Sequence, residues 1–163
     1  MIAHLLSEIK PVILASASPR RADLLRQIGM EFHIQPSSVE EPPPAEMEMD
    51  PIQIAEHLAL LKAENVAANQ DRGLVIGSDT VVWNKDTILG KPANHREAFS
   101  MLSELSNIRH TVTTGVALMY KPNGTSLVFH ESTRVFFREL SEKEIHDYID
   151  TGEPMDKAGG YGI

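Results

Sequence analysis

The chain contains no cysteine and no apolar run long enough to span a bilayer. The absence of cysteine excludes disulfides, thiol nucleophiles and cysteine-ligated metal sites. The first ten residues lack the basic start and the long apolar core of a secretory signal. The lack of cysteine leaves the redox compartment undetermined. The lack of a membrane-spanning run and of a signal favours a cytoplasmic enzyme or binding protein with no membrane partner.

Basic residues are also scarce, because 15 lysines and arginines face 23 acidic residues and give a formal net charge of −8. Binding a nucleic-acid polymer calls for a basic face, so a chain of this charge is a poor candidate for it. The chain lacks the Walker A, GxGxxG, HExxH and GxSxG motifs. Its seven histidines have no metal-ligand spacing, and we assign none of them to a site. A local basic pocket for a phosphorylated small molecule stays open.

The length of 163 residues and the apolar fraction of 42% suit a single domain with a sizeable core. Residues 36–50 are proline-rich and acidic, which excludes a regular helix or a central strand there. Elsewhere the pattern predicts an α/β fold of α+β character, with a mixed, partly antiparallel sheet flanked by helices and a substrate cleft. The predicted strands are residues 12–15, 74–77, 81–83, 87–89, 110–120 and 126–137, and helices are predicted after Ser18, Asp50, Asn94 and Ser141.

Residues 16–29, SASPRRADLLRQIG, are the most informative segment. Ser18 suits the N-cap, a proline follows it, and Gly29 suits the C′ position, so a helix is predicted directly after a strand. The N–H groups and dipole at this helix start favour an anion, and Arg20 and Arg21 add charged donors. Two interpretations remain: a phosphate site, or an ordinary capped helix with two solvated arginines.

Asp79 follows the apolar strand predicted at residues 74–77, which we expect to end at Ser78 and Asp79. A carboxylate at the end of such a strand lies where α/β folds open their crevice. There it can act as a general base on water or bind a divalent metal. The alternative is a turn aspartate that accepts hydrogen bonds from backbone N–H groups.

Five further charged residues are candidates. Lys62 lies on a predicted apolar helix, Lys91 precedes a proline, and Lys157 stands beside an aspartate and two glycines. Together with Arg20 and Arg21 they could bind a polyphosphate, but a lysine in such a position is more often a solvated surface charge. Glu40 and Glu41 in the proline-rich stretch could hold Mg²⁺ or Mn²⁺, or could simply be solvated.

Several motifs occur in a fixed order along the chain, and the ordered set resembles the Maf family of nucleoside triphosphate pyrophosphatases. The matching pieces are LASASPRRADLL, LLKAENV, VIGSDTVV, GKP and GEPMDKAGGYGI. Each piece alone is weak evidence, whereas the ordered set is very specific. The resemblance implies a single Maf/ITPase-like domain over residues 1–163.

The resemblance also implies roles for individual residues. Family members cleave between the α and β phosphates with the help of Mg²⁺ or a similar ion, giving a nucleoside monophosphate and pyrophosphate. Asp79 matches the proposed base, and Glu41 or Glu40 matches the glutamate that joins it at the metal site. The matching substrate-binding residues are Ser16, Ser18, Arg20, Arg21, Lys62, Thr80, Lys91 and Lys157.

Two of these positions resemble the branch of the family that acts on dTTP and UTP, which has arginine at the position of Arg20 and threonine at the position of Thr80. A third marker of that branch would directly follow Ile163. Family members continue there with a further strand and helix, which this sequence does not contain. A truncated chain, an incomplete gene model and a natural short form are all open, as is a homodimer.

The resemblance therefore implies a pyrophosphatase that hydrolyses dTTP and UTP, with modified pyrimidine nucleotides as a further class of substrate. The alternatives are a non-catalytic nucleotide-binding regulator of septum formation and an inactive fragment. Asp79 favours the enzyme, since a protein that only binds a nucleotide needs no base at this position.

Overall fold

The computed structural model describes residues 9–85 and 87–162. The predicted absence of a secretory signal concerns the first ten residues, of which residues 1–8 lie outside these ranges. Asp86, which is part of a predicted hairpin turn, also lies outside them. No helix of the described residues is both long and apolar enough to cross a membrane. The elements are β1 Val12–Leu14, α1 Pro19–Gln27, β2 His33–Ile34, α2 Pro51–Ala67, β3 Leu74–Asn84, β4 Thr87–Leu89, α3 His95–Leu105, β5 Arg109–Tyr120, β6 Thr125–Phe136 and α4 Glu142–Asp150, with short 3₁₀ turns at Pro44–Glu46, Glu153–Asp156 and Ala158–Gly160.

Within the described residues the strands form one six-stranded sheet in the order β2-β1-β3-β5-β6, and β4 pairs with β3. Strand β1 is parallel to both neighbours, with Ile13 opposite His33 on one side and Val75 on the other. Strands β3 and β4 are antiparallel. Strands β5 and β6 are adjacent and joined by a tight turn, so they also run antiparallel. The predicted mixed, partly antiparallel sheet is confirmed.

The chain divides into two compact units, and each is described here by itself. The first comprises Met1–Pro42, Ala55–Asp79 and Gly115–His130, and the second comprises Pro43–Ile54, Thr80–Thr114 and Glu131–Ile163. A single domain over the whole chain stays a prediction.

The first unit has a three-layer core. Alternate residues of a strand point to opposite faces of the sheet, and both faces are apolar here. Ile13 and Val75 pack on the small residues Ala59 and Ala63 of α2. On the other face, Val12, Leu14 and Ile76 pack with Ala22 of α1. The unit therefore places one helix on each side of its parallel strands.

Helix α3 organises the core of the second unit. Its residues Met101 and Leu105 pack on Val82, Leu89 and Val112 of the strands. Its other buried side packs on α4, where Ala98 and Leu102 meet Ile145 and Ile149.

Three of the four predicted helix starts have side-chain caps, and the fourth helix begins after Ser18 as predicted. Asp50 Oδ1 accepts hydrogen bonds from the N–H groups of Ile52 and Gln53, both at 2.9 Å. Asn94 caps α3 in the same way, and Ser141 forms a full capping box with Glu144. These contacts lie within three residues of each other, so they follow directly from local sequence.

Strand β3 corrects one prediction. We expected a strand over residues 74–77 that ends at Ser78 and Asp79, with a separate strand at 81–83. The structure shows one strand, Leu74–Asn84. Glycine, serine and aspartate are poor strand formers, but β3 lies between β1 and β5, and pairing with neighbouring strands overrides local preference. Asp79 is thus inside a strand and not at its end.

Candidate active site

Asp79 is the centre of a charged cluster in the first unit. Its side chain is 13% exposed, and its Oδ1 lies 2.5 Å from Nζ of Lys62, whose side chain is 12% exposed. Val75, Gly77 and Asp79 are alternate residues of β3 and share the face that packs on α2. The strand and the helix therefore present these two side chains to each other.

Gly77 permits the close packing that brings Lys62 to Asp79. A Cβ built on Gly77 would lie 2.2 Å from the carbonyl oxygen of Ala59 and 2.8 Å from the backbone nitrogen of Ala63. Real Cβ atoms do not approach backbone this closely, so only glycine fits here without a shift of α2. Lys62 lies on the helix between these two alanines.

Glu41 completes a bridge of two carboxylates through one ammonium group. Its Oε2 lies 3.1 Å from Lys62 Nζ, and its side chain is 43% exposed. Glu40 is exposed, and within the part of the chain that the structure describes it makes no ion pair. Of the two glutamates that the sequence left open, the structure places Glu41 beside Lys62.

Arg21 links the start of α1 to β3. Its Nη1 donates to Ser16 Oγ at 3.1 Å and to the carbonyl oxygen of Ser78 at 2.8 Å. Ser78 is the residue before Asp79, so the guanidinium is held next to the carboxylate cluster. Arg20, the preceding residue, is exposed to solvent. Successive helical residues diverge by about 100°, which explains why the two arginines have different surroundings.

Ser16 takes part of the role that was predicted for Ser18. Ser18 occupies the N-cap position of α1 as expected, but its side chain makes no capping hydrogen bond. The hydroxyl of buried Ser16 instead accepts from the N–H of Ser18 at 3.2 Å and from Arg21. The loop between β1 and α1 is thereby tied to the arginine.

Burial raises the pKa of the Asp79 carboxyl above its ordinary value, and the nearby Glu41 carboxylate acts in the same direction. Lys62 and Arg21 oppose this rise without cancelling it. Burial also lowers the pKa of Arg21, although the negative charge of Asp79 acts to raise it. A carboxylate with a raised pKa accepts a proton more readily, which is the property that a general base needs.

The cluster contains two carboxylates that could hold a divalent ion together with substrate oxygens. Within residues 9–85 and 87–162, no group of three or more His, Asp or Glu side chains could hold a metal. Two carboxylates, Glu41 and Asp79, nevertheless contact the same Lys62 ammonium group. Mg²⁺ is commonly bound by one or two carboxylates together with water and substrate phosphates. This pair suits an ion that arrives with a phosphorylated substrate.

The other predicted substrate-binding residues belong to the second unit. Thr80 Oγ1 lies 3.0 Å from Thr114 Oγ1. Lys91 is exposed. Lys157 is buried, and its Nζ donates to the carbonyl oxygen of Glu153 at 2.5 Å and to Asp156 Oδ1 at 2.8 Å. Their convergence on a polyphosphate stays a prediction.

Fold and site together define a mixed α/β protein that holds a buried carboxylate, a lysine and an arginine beside a helix N-terminus. A family profile described as "Maf-like protein" matches residues 11–163. The chain belongs to the Maf family.

Curated relatives match most of the chain. A dTTP/UTP pyrophosphatase of Pelotomaculum thermopropionicum is 48% identical over 155 residues, which cover 95% of this chain and 80% of the relative. A dTTP/UTP pyrophosphatase of Desulforamulus reducens has the same identity and coverage. One from Geobacillus sp. is 50% identical over 155 residues, 95% of this chain and 81% of its own length.

Proposed function

We propose that this protein is a nucleoside triphosphate pyrophosphatase that hydrolyses dTTP and UTP to the monophosphate and pyrophosphate. Relatives of that name at 48% identity over 95% of the chain support the assignment. The observation that carries the chemistry is the contact of buried Asp79 with Lys62, with Arg21 held on the neighbouring Ser78 carbonyl.

Each group of the cluster has a role in this reaction. The start of α1 and Arg21 bind phosphate oxygens, because both offer donors to an anion. Asp79 accepts a proton from a water molecule whose oxygen attacks the α phosphorus, and the bond from that phosphorus to the bridging oxygen breaks. Lys62 offsets the negative charge that moves toward the departing pyrophosphate. A divalent ion held by Glu41 and Asp79 would supply further charge neutralisation and a more acidic water.

Pyrophosphate release across a panel of canonical and modified triphosphates tests the proposal. We expect dTTP and UTP to give the highest kcat/KM, since specificity is a difference in transition-state binding. Preference for a purine triphosphate would refute the assignment to pyrimidines. Binding of dTTP without any release of pyrophosphate would favour a nucleotide-binding regulator instead.

Removal of the divalent ion should slow the reaction. Without it, Glu41 and Asp79 repel the triphosphate, so we expect pyrophosphate release to fall by roughly an order of magnitude in EDTA. Titration with Mg²⁺ or Mn²⁺ should restore the rate, and Ca²⁺ or buffer alone serves as the comparison. An unchanged rate in metal-free buffer would exclude a metal role for the two carboxylates.

Substitution of Arg21 should lower kcat/KM by a similar factor for every triphosphate. A phosphate contact carries no information about the base, and loss of a charged hydrogen bond costs roughly tenfold in kcat/KM. We therefore expect Arg21→Ala to lower kcat/KM for dTTP, UTP and a purine triphosphate by similar factors. Arg26→Ala is the matched control, because Arg26 lies on the same helix but pairs with Asp23. A strong change in the ratio between bases in Arg21→Ala would assign Arg21 to base recognition.

A further inference from the structure

Asn65 holds the loop that carries Glu41, and no function has been assigned to it above. Asn65 lies in the last turn of α2. Its Oδ1 accepts hydrogen bonds from the Ser37 hydroxyl and from the backbone N–H of Ser38, both at 3.0 Å. One side-chain oxygen of the helix therefore fixes two consecutive residues of the loop.

A contact within the loop orients the Ser37 hydroxyl, which is the first of these two donors. Ser37 Oγ accepts from the backbone N–H of Val39 at 3.2 Å, so its own proton is available for Asn65. This contact links residues 37 and 39, directly ahead of the two glutamates. Prolines at positions 36 and 42 restrict the backbone on either side.

The contact of Ser38 with Asn65 lies close to Glu41, which is the residue of this loop that contacts Lys62. Glu41 lies three positions after Ser38, which limits the distance between their Cα atoms to about 11 Å. Lys62 and Asn65 are three residues apart on α2, so they are neighbours on one face of the helix. Fixing Ser38 on Asn65 therefore restricts Glu41 to the vicinity of Lys62, where its Oε2 lies 3.1 Å from Nζ.

Charge explains why an anchor is needed. Glu40 and Glu41 are adjacent and exposed, so they repel each other, and Asp79 repels Glu41. The Lys62 contact opposes this repulsion, but the Glu41 side chain is 43% exposed, where solvent weakens an ion pair. The hydrogen bonds from Ser37 and Ser38 to Asn65 are neutral and independent of that ion pair.

We propose that Asn65 is a positioning residue, which anchors residues 37–39 on α2 and so holds Glu41 beside Lys62 and Asp79. The proposal rests on the proposed function only where it takes Glu41 as a group that binds the substrate's divalent ion. It concerns Asn65 acting through Glu41, with no direct contact to substrate.

The experiment compares wild-type protein with Asn65→Ala in two measurements. Hydrogen exchange of the Ser38 amide, followed with residue resolution, should be roughly fivefold to tenfold faster in the variant, as expected for loss of a hydrogen bond. The Mg²⁺ concentration for half-maximal pyrophosphate release should rise by a similar factor, while kcat at saturating Mg²⁺ stays close to wild type.

Two further variants separate positioning from general stability. Asn65→Asp retains an oxygen acceptor at the same place and should restore the slow exchange of Ser38. Gln70→Ala breaks the 2.9 Å contact of Gln70 with Gln35, another amide contact of the same unit, and should leave both measurements unchanged. An equal loss of kcat in Asn65→Ala and Gln70→Ala would indicate a merely structural role and overturn the proposal.

The remaining outcomes are equally decisive. Unchanged exchange at Ser38 in Asn65→Ala would show that the anchor does not exist. Faster exchange with an unaltered Mg²⁺ requirement would show that the anchor does not position Glu41. A wild-type protein that releases no pyrophosphate would refute the proposed function, and the exchange rates would then decide on the anchor alone.

Discussion

Asp79→Asn should lower kcat for dTTP by about 10²-fold or more, as expected for loss of a positioned general base. The amide has nearly the same shape as the carboxylate, and its oxygen can still accept from Lys62 Nζ, which lies 2.5 Å away. It cannot take a proton from water. Because burial raises the pKa of Asp79, the substitution removes a stronger base than an exposed aspartate would be. Steady-state pyrophosphate release measures kcat, and a thermal melt confirms that the fold persists.

Two further variants serve as controls for Asp79→Asn. Asp71→Asn removes an exposed acidic charge from the same unit and should leave kcat unchanged. Glu41→Gln removes the other carboxylate on Lys62 and should mainly raise the Mg²⁺ requirement, because Glu41 is proposed to bind the ion and not the proton. If Asp79→Asn turned over at nearly the wild-type rate, the base would lie elsewhere and Asp79 would be a structural partner of Lys62.

The parts of the fold that depend on neighbouring residues could be predicted from the sequence. Capping at Asp50, Asn94 and Ser141 involves a side chain and an N–H group within a few residues of each other. Both partners of each contact can therefore be identified from the local sequence. The hairpin of β5 and β6 is similarly marked by a turn sequence in which Gly124 has φ +69°.

Strand β3 could not be predicted in full, because the residues that continue it are poor strand formers. The segment Gly77-Ser78-Asp79 suits a turn by composition, and only the neighbouring strands keep it extended. That error has a consequence for the site. A strand interior gives Asp79 a fixed direction on the face that packs on α2, which its predicted position at a strand end would not have specified.

The residue types of the site were available in the sequence, but their partners were not. Lys62 and Asp79 are separated by 17 positions, and Arg21 and Ser78 by 57. No spacing rule connects such positions. The family resemblance assigned Lys62, Arg21 and Asp79 to one site, but their direct contacts appear only in the structure. The Ser78 carbonyl and Asn65 had no signal at all, since every residue has a carbonyl and an asparagine near a helix end is common.

Gly77 has no side chain, and both the packing of α2 on β3 and the contact of Lys62 with Asp79 depend on this. Gly77→Ala would place a methyl group 2.2 Å from the Ala59 carbonyl oxygen and 2.8 Å from the Ala63 nitrogen. Both are backbone atoms of α2, which cannot rotate away as a side chain could. The helix must move, so we expect a loss of about 2 kcal/mol or more in the free energy of unfolding. For a chain of this size that is a fall of roughly 5 °C in Tm.

The same displacement should weaken catalysis, since Lys62 lies on α2 between the two alanines and meets Asp79 at 2.5 Å. Gly90→Ala is the matched control. A Cβ on Gly90 meets nothing within 4 Å, and its φ is not in the left-handed region, so its stability should change by no more than about 0.5 kcal/mol. Chemical denaturation and pyrophosphate release, measured on both variants, separate the two effects. A Gly77→Ala protein as stable and active as Gly90→Ala would mean that α2 does not need the close approach, and that Lys62 reaches Asp79 for another reason.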